Sequence, residues 1–151
     1  MKPLAQNKKA FFDYKILEKY EAGMVLIGTE VKSIKMGRIN IQGSYVIFKG
    51  KELFLLGSNV PAYQPKNAPE KYNPEQPRKL LLRRKEINEL IGKTKEKGLT
   101  LVPLKVYTRH GLIKIEIGLA KGAKKADKRE KIKKKEADRK IRRALKSSQS
   151  I

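Results

Sequence analysis

Val102-Pro103-Leu104-Lys105-Val106-Tyr107-Thr108-Arg109-His110-Gly111-Leu112-Ile113-Lys114-Ile115-Glu116-Ile117-Gly118-Leu119 decides the fold. Ile113, Ile115, Ile117 and Leu119 alternate with Lys114, Glu116 and Gly118, the two-residue period of a strand with one wet face. Val102, Leu104 and Val106 alternate in the same way, and Thr108-Arg109-His110-Gly111 supplies the turn, so the spacing predicts an antiparallel hairpin.

Upstream, Tyr45-Val46-Ile47-Phe48 and Leu53-Phe54-Leu55-Leu56 form a second predicted hairpin through Lys49-Gly50-Lys51-Glu52. Both of its faces are apolar, so at least one strand should be central or covered by a helix. A further strand is expected around 13–21, and a short one at 79–82. Met24, Ile27, Val31 and Ile34 share one face of a predicted helix ending at Gly37, with Thr29 and Ser33 opposite and Glu30 and Lys32 on its flanks. Gly28 within it costs about 1 kcal/mol of propensity. A second helix is predicted from Arg84 to Lys97, with Ile87, Leu90, Ile91 and Thr94 on one face and Gly98 as a stop. Residues 59–78 carry five of the seven prolines and read as an irregular surface loop. Antiparallel hairpins with helices between them suggest a mainly β fold, a small OB-like barrel with flanking helices; an open α+β sheet is the alternative.

Charge divides the chain. The 151 residues hold 37 Lys and Arg against 15 acids, a formal net charge of +22. Residues 121–151 hold 14 of the bases and 4 of the acids. The reading is a globular body over 1–120 and a basic tail over 121–151. In the tail Ile132, Ala137, Ile141, Ala144 and Leu145 lie at mainly three- and four-residue steps, so the tail is expected unfolded alone and helical against phosphate. An excess of this size opposes compaction unless a polyanion offsets it, which selects nucleic acid or an anionic membrane surface as partner. No stretch approaches the roughly 20 apolar residues of a spanning helix, and the polar, basic start lacks a secretory core. The chain has no cysteine, hence no disulfide or thiolate chemistry. A cytoplasmic nucleic-acid binder without membrane contact is the expectation.

Catalysis has little to stand on. His110 is the lone histidine and sits in a predicted turn. The Gly118–Gly122 segment lacks the strand-loop-helix context of a phosphate loop, and one His with dispersed carboxylates assembles no metal site. No catalytic residue, metal or cofactor is therefore expected. From spacing alone, Glu30 reads as the partner of a neighbouring Lys or Arg. Lysine and arginine runs suit phosphate, although any single run is more often a solvated face. Phe11, Tyr14, Tyr45, Tyr63 and Tyr107 are aromatics that can stack on bases, though most lie in strand patterns and read as core.

Several ordered strings resemble the SmpB family. They are Asn7-Lys8-Lys9-Ala10 leading to Tyr14, Tyr20 to Leu26, Gly28-Thr29-Glu30-Val31-Lys32-Ser33-Ile34, and Gly43-Ser44-Tyr45-Val46. Arg78 to Leu82, Gly98 to Tyr107, and Gly118 to Lys125 followed by Asp127-Lys128-Arg129 complete the set. The resemblance implies an RNA-binding, non-enzymatic protein of trans-translation: it binds the tRNA-like domain of transfer-messenger RNA (tmRNA) and enters stalled ribosomes with it. The body then stands in for a missing anticodon arm, and the tail lies as a helix in the empty messenger channel. Carried over by position, Asn7, Lys8, Glu30, Lys32, Ser33, Lys79, Leu81, Arg83, Lys121, Lys124 and Lys125 are the expected tmRNA contacts. Glu30 thereby becomes a base- or ribose-contacting acceptor or an organiser of that face. Asp127, Lys128, Arg129, Lys131, Lys134, Arg139 and Arg142 are expected on the decoding site and small-subunit rRNA of the channel. Elongation factor Tu is the implied companion in delivery, and the protein a monomer. Many SmpB relatives place an aromatic or His immediately before Asp-Lys-Arg; here it is Ala126, so stacking from that position is lost. The rival readings are a ribosomal protein built permanently into rRNA and, more remotely, an RNA-processing enzyme.

Overall fold

The computed structural model describes residues 3–64, 66, 71–122, 135–137 and 139–143. The chain runs β1 (Ala5–Gln6), α1 (Lys8–Asp13), β2 (Tyr14–Met24), α2 (Gly28–Lys35), β3 (Tyr45–Lys49), β4 (Glu52–Leu56), β5 (Arg78–Leu81), α3 (Arg84–Thr94), β6 (Leu99–Arg109) and β7 (Leu112–Gly122). All seven strands join one sheet in the order β1-β6-β7-β2-β5-β4-β3, and every pairing is antiparallel.

The hairpin read from 102–119 is the spine. β6 and β7 pair from Leu99↔Lys121 to Arg109↔Leu112 and close through His110 and Gly111. Both turn residues take positive φ, 52° and 77°, the two-residue turn whose twist matches that of the strands. In the β3–β4 hairpin Gly50 takes φ 64° at the first turn position. β4 lies inside the sheet and β3 at its edge; Leu53, Leu55 and Val46 are buried on one face, while Tyr45 and Ile47, opposite Leu56 and Phe54, are exposed on the other. The apolar faces of β4, β5, β6 and β7 meet Ile34 of α2 and Leu90 of α3 in one core. A smaller core lies on the other face of the sheet. There α1 sets Ala10 against Val102, Leu104 and Ala120, and a Cβ on Gly118 would come within 3.0 Å of Leu104.

The expected antiparallel sheet with flanking helices forms, but hydrogen bonds do not close it into a barrel. β3 lies against β6 without a ladder. A cavity of about 310 Å³ runs along that seam, lined in part by Asn7, Ser44, Tyr45 and Val102.

Several local boundaries differ from the sequence reading, among them the end of α3 at Thr94 where Lys97 was expected. Residues 8–13 form a helix that the sequence reading did not include. Met24 ends β2 instead of opening α2, so the helix begins at Gly28. Glycine in a first helical turn escapes most of the interior cost. β7 also pairs as far as Gly122 with Tyr14, two residues past the expected end of the body.

Candidate nucleic-acid interface

α2 starts without a polar N-cap, since Ile27 offers none. Glu30, three residues on, supplies the missing acceptor: its Oε1 takes the Ile27 N–H at 3.1 Å, half of a capping box. Its Oε2 takes Arg78 Nε at 2.7 Å, Arg78 Nη2 at 2.7 Å and Gln76 Nε2 at 3.1 Å, and the Tyr72 hydroxyl stands at 3.4 Å. Arg78 donates further to Ser58 O, Ser58 Oγ, Gln76 O and Pro74 O. Both side chains are buried, at 2% and 1% exposure. A charge pair so far from water is tolerated only when its remaining donors and acceptors are satisfied, as they are here. The network clamps the proline-rich loop onto α2. Ser33 Oγ on the same helix donates to Pro61 O, and Thr29 Oγ1 accepts the Tyr63 N–H at 2.9 Å.

Three residues that the resemblance placed on the RNA face are therefore inside the protein: Asn7, Glu30 and Ser33 are 4%, 1% and 0% exposed. Their polar atoms are taken up by protein partners. Asn7 caps α1, its Oδ1 accepting the Ala10 N–H while its Nδ2 donates to Pro103 O of β6 at 3.0 Å. In this structure the polar groups of all three are directed to protein partners. Glu30 is an ion-pair partner, but of Arg78 and not of the neighbouring Lys or Arg that spacing suggested. That pairing was hidden because 48 residues separate the two. Tyr72 and Gln76, also in the clamp, carried no sequence signal.

Lys8, Lys32, Arg83 and Lys121 are exposed and form no ion pair among the described residues. Lys79 meets Glu52 at 3.6 Å across half-exposed side chains, a contact worth little in water. Leu81 is 51% exposed. These positions are not one cluster. Lys8 and Lys121 lie where β2 begins and β7 ends; Lys32, Lys79 and Leu81 lie where β2 ends. An 11-residue strand separates the groups, on the order of 30 Å. Lys124, Lys125, Asp127, Lys128, Arg129, Lys131 and Lys134 fall outside the described residues. Arg139 and Arg142 are exposed on helical backbone.

On the outer face of β2, β6 and β7, by contrast, three cations are held by acids. Glu116 pairs with Lys19 and Lys105, and Arg109 pairs with Glu21. The Tyr107 hydroxyl donates to Glu21 Oε2 at 2.7 Å, and burial followed by that bond pushes the phenol well above its ordinary 10.0. Tyr20 and Tyr72 are raised too, burial again first among the causes. A phenol raised on folding contributes stability in full below its unfolded value, and this is lost as pH climbs toward the folded one. Denaturant midpoints should therefore fall from about pH 10 upward. Tyr107→Phe should flatten that decline and lower neutral stability by about 1 kcal/mol. An unchanged alkaline profile in Tyr107→Phe would remove Tyr107 from this account.

Among the described residues no group of three His, Asp or Glu is placed to hold a metal, and no helix is long and apolar enough to cross a membrane. Comparison with known proteins gives a consistent answer. Residues 4–147 match the family model described as SmpB protein. The chain is 53% identical over 152 residues to an SsrA-binding protein of Geobacillus thermodenitrificans, covering 99% of this chain and 96% of the relative. It is 53% identical over 147 residues to another of Thermosipho melanesiensis, covering 97% and 99%. A solved chain from "tmRNA-SmpB: a journey to the center of the bacterial ribosome" superposes with a TM-score of 0.63 at 42% identity, over 84% of this chain and 92% of that one. A family match over almost the whole length, on a shared fold, leaves one assignment: this chain belongs to the SmpB family.

Proposed function

We propose that this protein binds the tRNA-like domain of tmRNA and brings it to stalled ribosomes for trans-translation, so that the nascent peptide is tagged and the ribosome released. The match to the SmpB family over residues 4–147 carries this reading. The likeness to a chain solved in a study of tmRNA-SmpB on the bacterial ribosome adds support. So does the exposed Lys and Arg, which offers phosphate its natural counter-charge. Lys8, Lys32, Lys79, Arg83 and Lys121 serve as the body's phosphate contacts, joined by Lys124 and Lys125, with Leu81 as an apolar one. Asn7, Glu30 and Ser33 hold that surface in shape. The tail, through Asp127, Lys128, Arg129, Lys131, Lys134, Arg139 and Arg142, occupies the decoding site and the empty messenger channel against small-subunit rRNA. The protein acts as a monomer in the cytoplasm, delivered in company with elongation factor Tu, and makes or breaks no bond itself.

Selectivity tests this. At about 0.15 M salt, where phosphate attraction alone is weakened, tmRNA should bind at least 100-fold more tightly than an rRNA fragment of equal length. Equal affinities would favour a resident ribosomal protein instead.

A further inference from the structure

Four cation–ring contacts join residues of the body: Lys19 over Phe11, Lys105 and Arg109 over Tyr107, and Lys32 over Tyr63. In the first three the cation also answers to an acid, Lys19 and Lys105 to Glu116 and Arg109 to Glu21. Lys32 has no such acid among the described residues, and it is exposed. The rings differ as well. Tyr107 is 6% exposed, and Phe11 packs against the small core. Tyr63 is only partly buried, and Lys32 Nζ lies 5.7 Å from its ring centre.

The backbone beneath Tyr63 is fixed. Its N–H is held by Thr29, Pro61 O is held by Ser33, and the fully buried Val60 donates its N–H to Pro74 O at 2.9 Å. A ring on a pinned backbone loses little freedom when a second ring stacks on it. Base–aromatic stacking needs such a π-face, and a neighbouring ammonium holds the phosphate of the same nucleotide.

We propose that Tyr63 and Lys32 form a seat for one unpaired nucleotide of the bound RNA, the base stacked on Tyr63 and its phosphate on Lys32. The proposal rests on the tmRNA reading and adds a residue and a contact type to it. It also gives the clamp a role: Thr29, Glu30, Ser33 and Arg78 position the loop that carries this partly buried ring.

The test uses the full chain and tmRNA at about 0.15 M salt. Tyr63→Leu should weaken binding about 5- to 100-fold, the range for one lost stacked base, with Tyr63→Phe within about twofold of wild type. Lys32→Gln should weaken binding and lower the slope of log K against log salt by about 1. The chain has no tryptophan, so Tyr63→Trp introduces a single reporter. Its emission should be quenched by tmRNA, whereas that of Tyr45→Trp, on the exposed edge strand, should not. Wild-type affinity in Tyr63→Leu overturns the seat, as does an unmoved Y63W emission in a complex that anisotropy shows to be formed. Equal loss in Tyr63→Leu and Tyr63→Phe overturns it too, by assigning the contact to the hydroxyl. Failure of the wild-type chain to prefer tmRNA is a separate result, which removes the functional reading itself.

Discussion

Glu30→Ala should lower folding stability by about 3–5 kcal/mol, the cost of leaving a buried guanidinium without its counter-charge. Arg78 is 1% exposed and cannot turn to water without opening the loop that covers it. The same substitution removes the acceptor of the Ile27 N–H, so α2 loses its cap in the same step. Arg78→Ala should cost a similar amount. The double variant should cost clearly less than the two together, because the second truncation removes the charge that the first one orphaned. Urea midpoints with unchanged m-values measure this. A loss below 1 kcal/mol in Glu30→Ala would mean that the pair is not buried in solution. RNA affinity should fall with stability in that variant, because the clamp fixes the loop and helix on which the proposed seat is built.

Truncation after Gly122 should separate two activities. That end point keeps β7 paired to Tyr14, whereas a cut at 120 would remove two rungs of the ladder. It deletes 13 Lys and Arg with 4 acids and leaves the body a net +13. Binding to tmRNA should persist within about tenfold, with the salt slope reduced by about 2 if Lys124 and Lys125 each touch a phosphate. Tagging on stalled ribosomes should fall to background. Parallel loss of both activities would refute the division between body and tail.

How much of this was legible depended on distance along the chain. The β6–β7 hairpin reads directly from alternation around a two-residue turn, since everything that specifies it is local. Helix α1 escaped because six residues are too few to show a period. Met24 was drawn into α2 because it falls in phase with Ile27 and Val31, while its place in β2 depends on its partner Leu80 in β5. Barrel closure was overread: alternation shows that strands pair but not whether the last one returns to the first. The cations of the candidate site were legible as charge alone. That Asn7, Glu30 and Ser33 face inward was not, because their partners Pro103, Arg78 and Pro61 come from distant segments.

The two-residue turn at His110 and Gly111 also orders events in time. It brings the longest ladder in the sheet together with the least loop to close, so that hairpin is placed to form early. The Glu30–Arg78 clamp joins residues 48 apart and needs β2, β4 and β5 already in place. Contacts made after the rate-limiting step leave the folding rate alone and govern escape from the native state. On that ordering, substitutions in the clamp should speed unfolding and substitutions in the turn should slow folding.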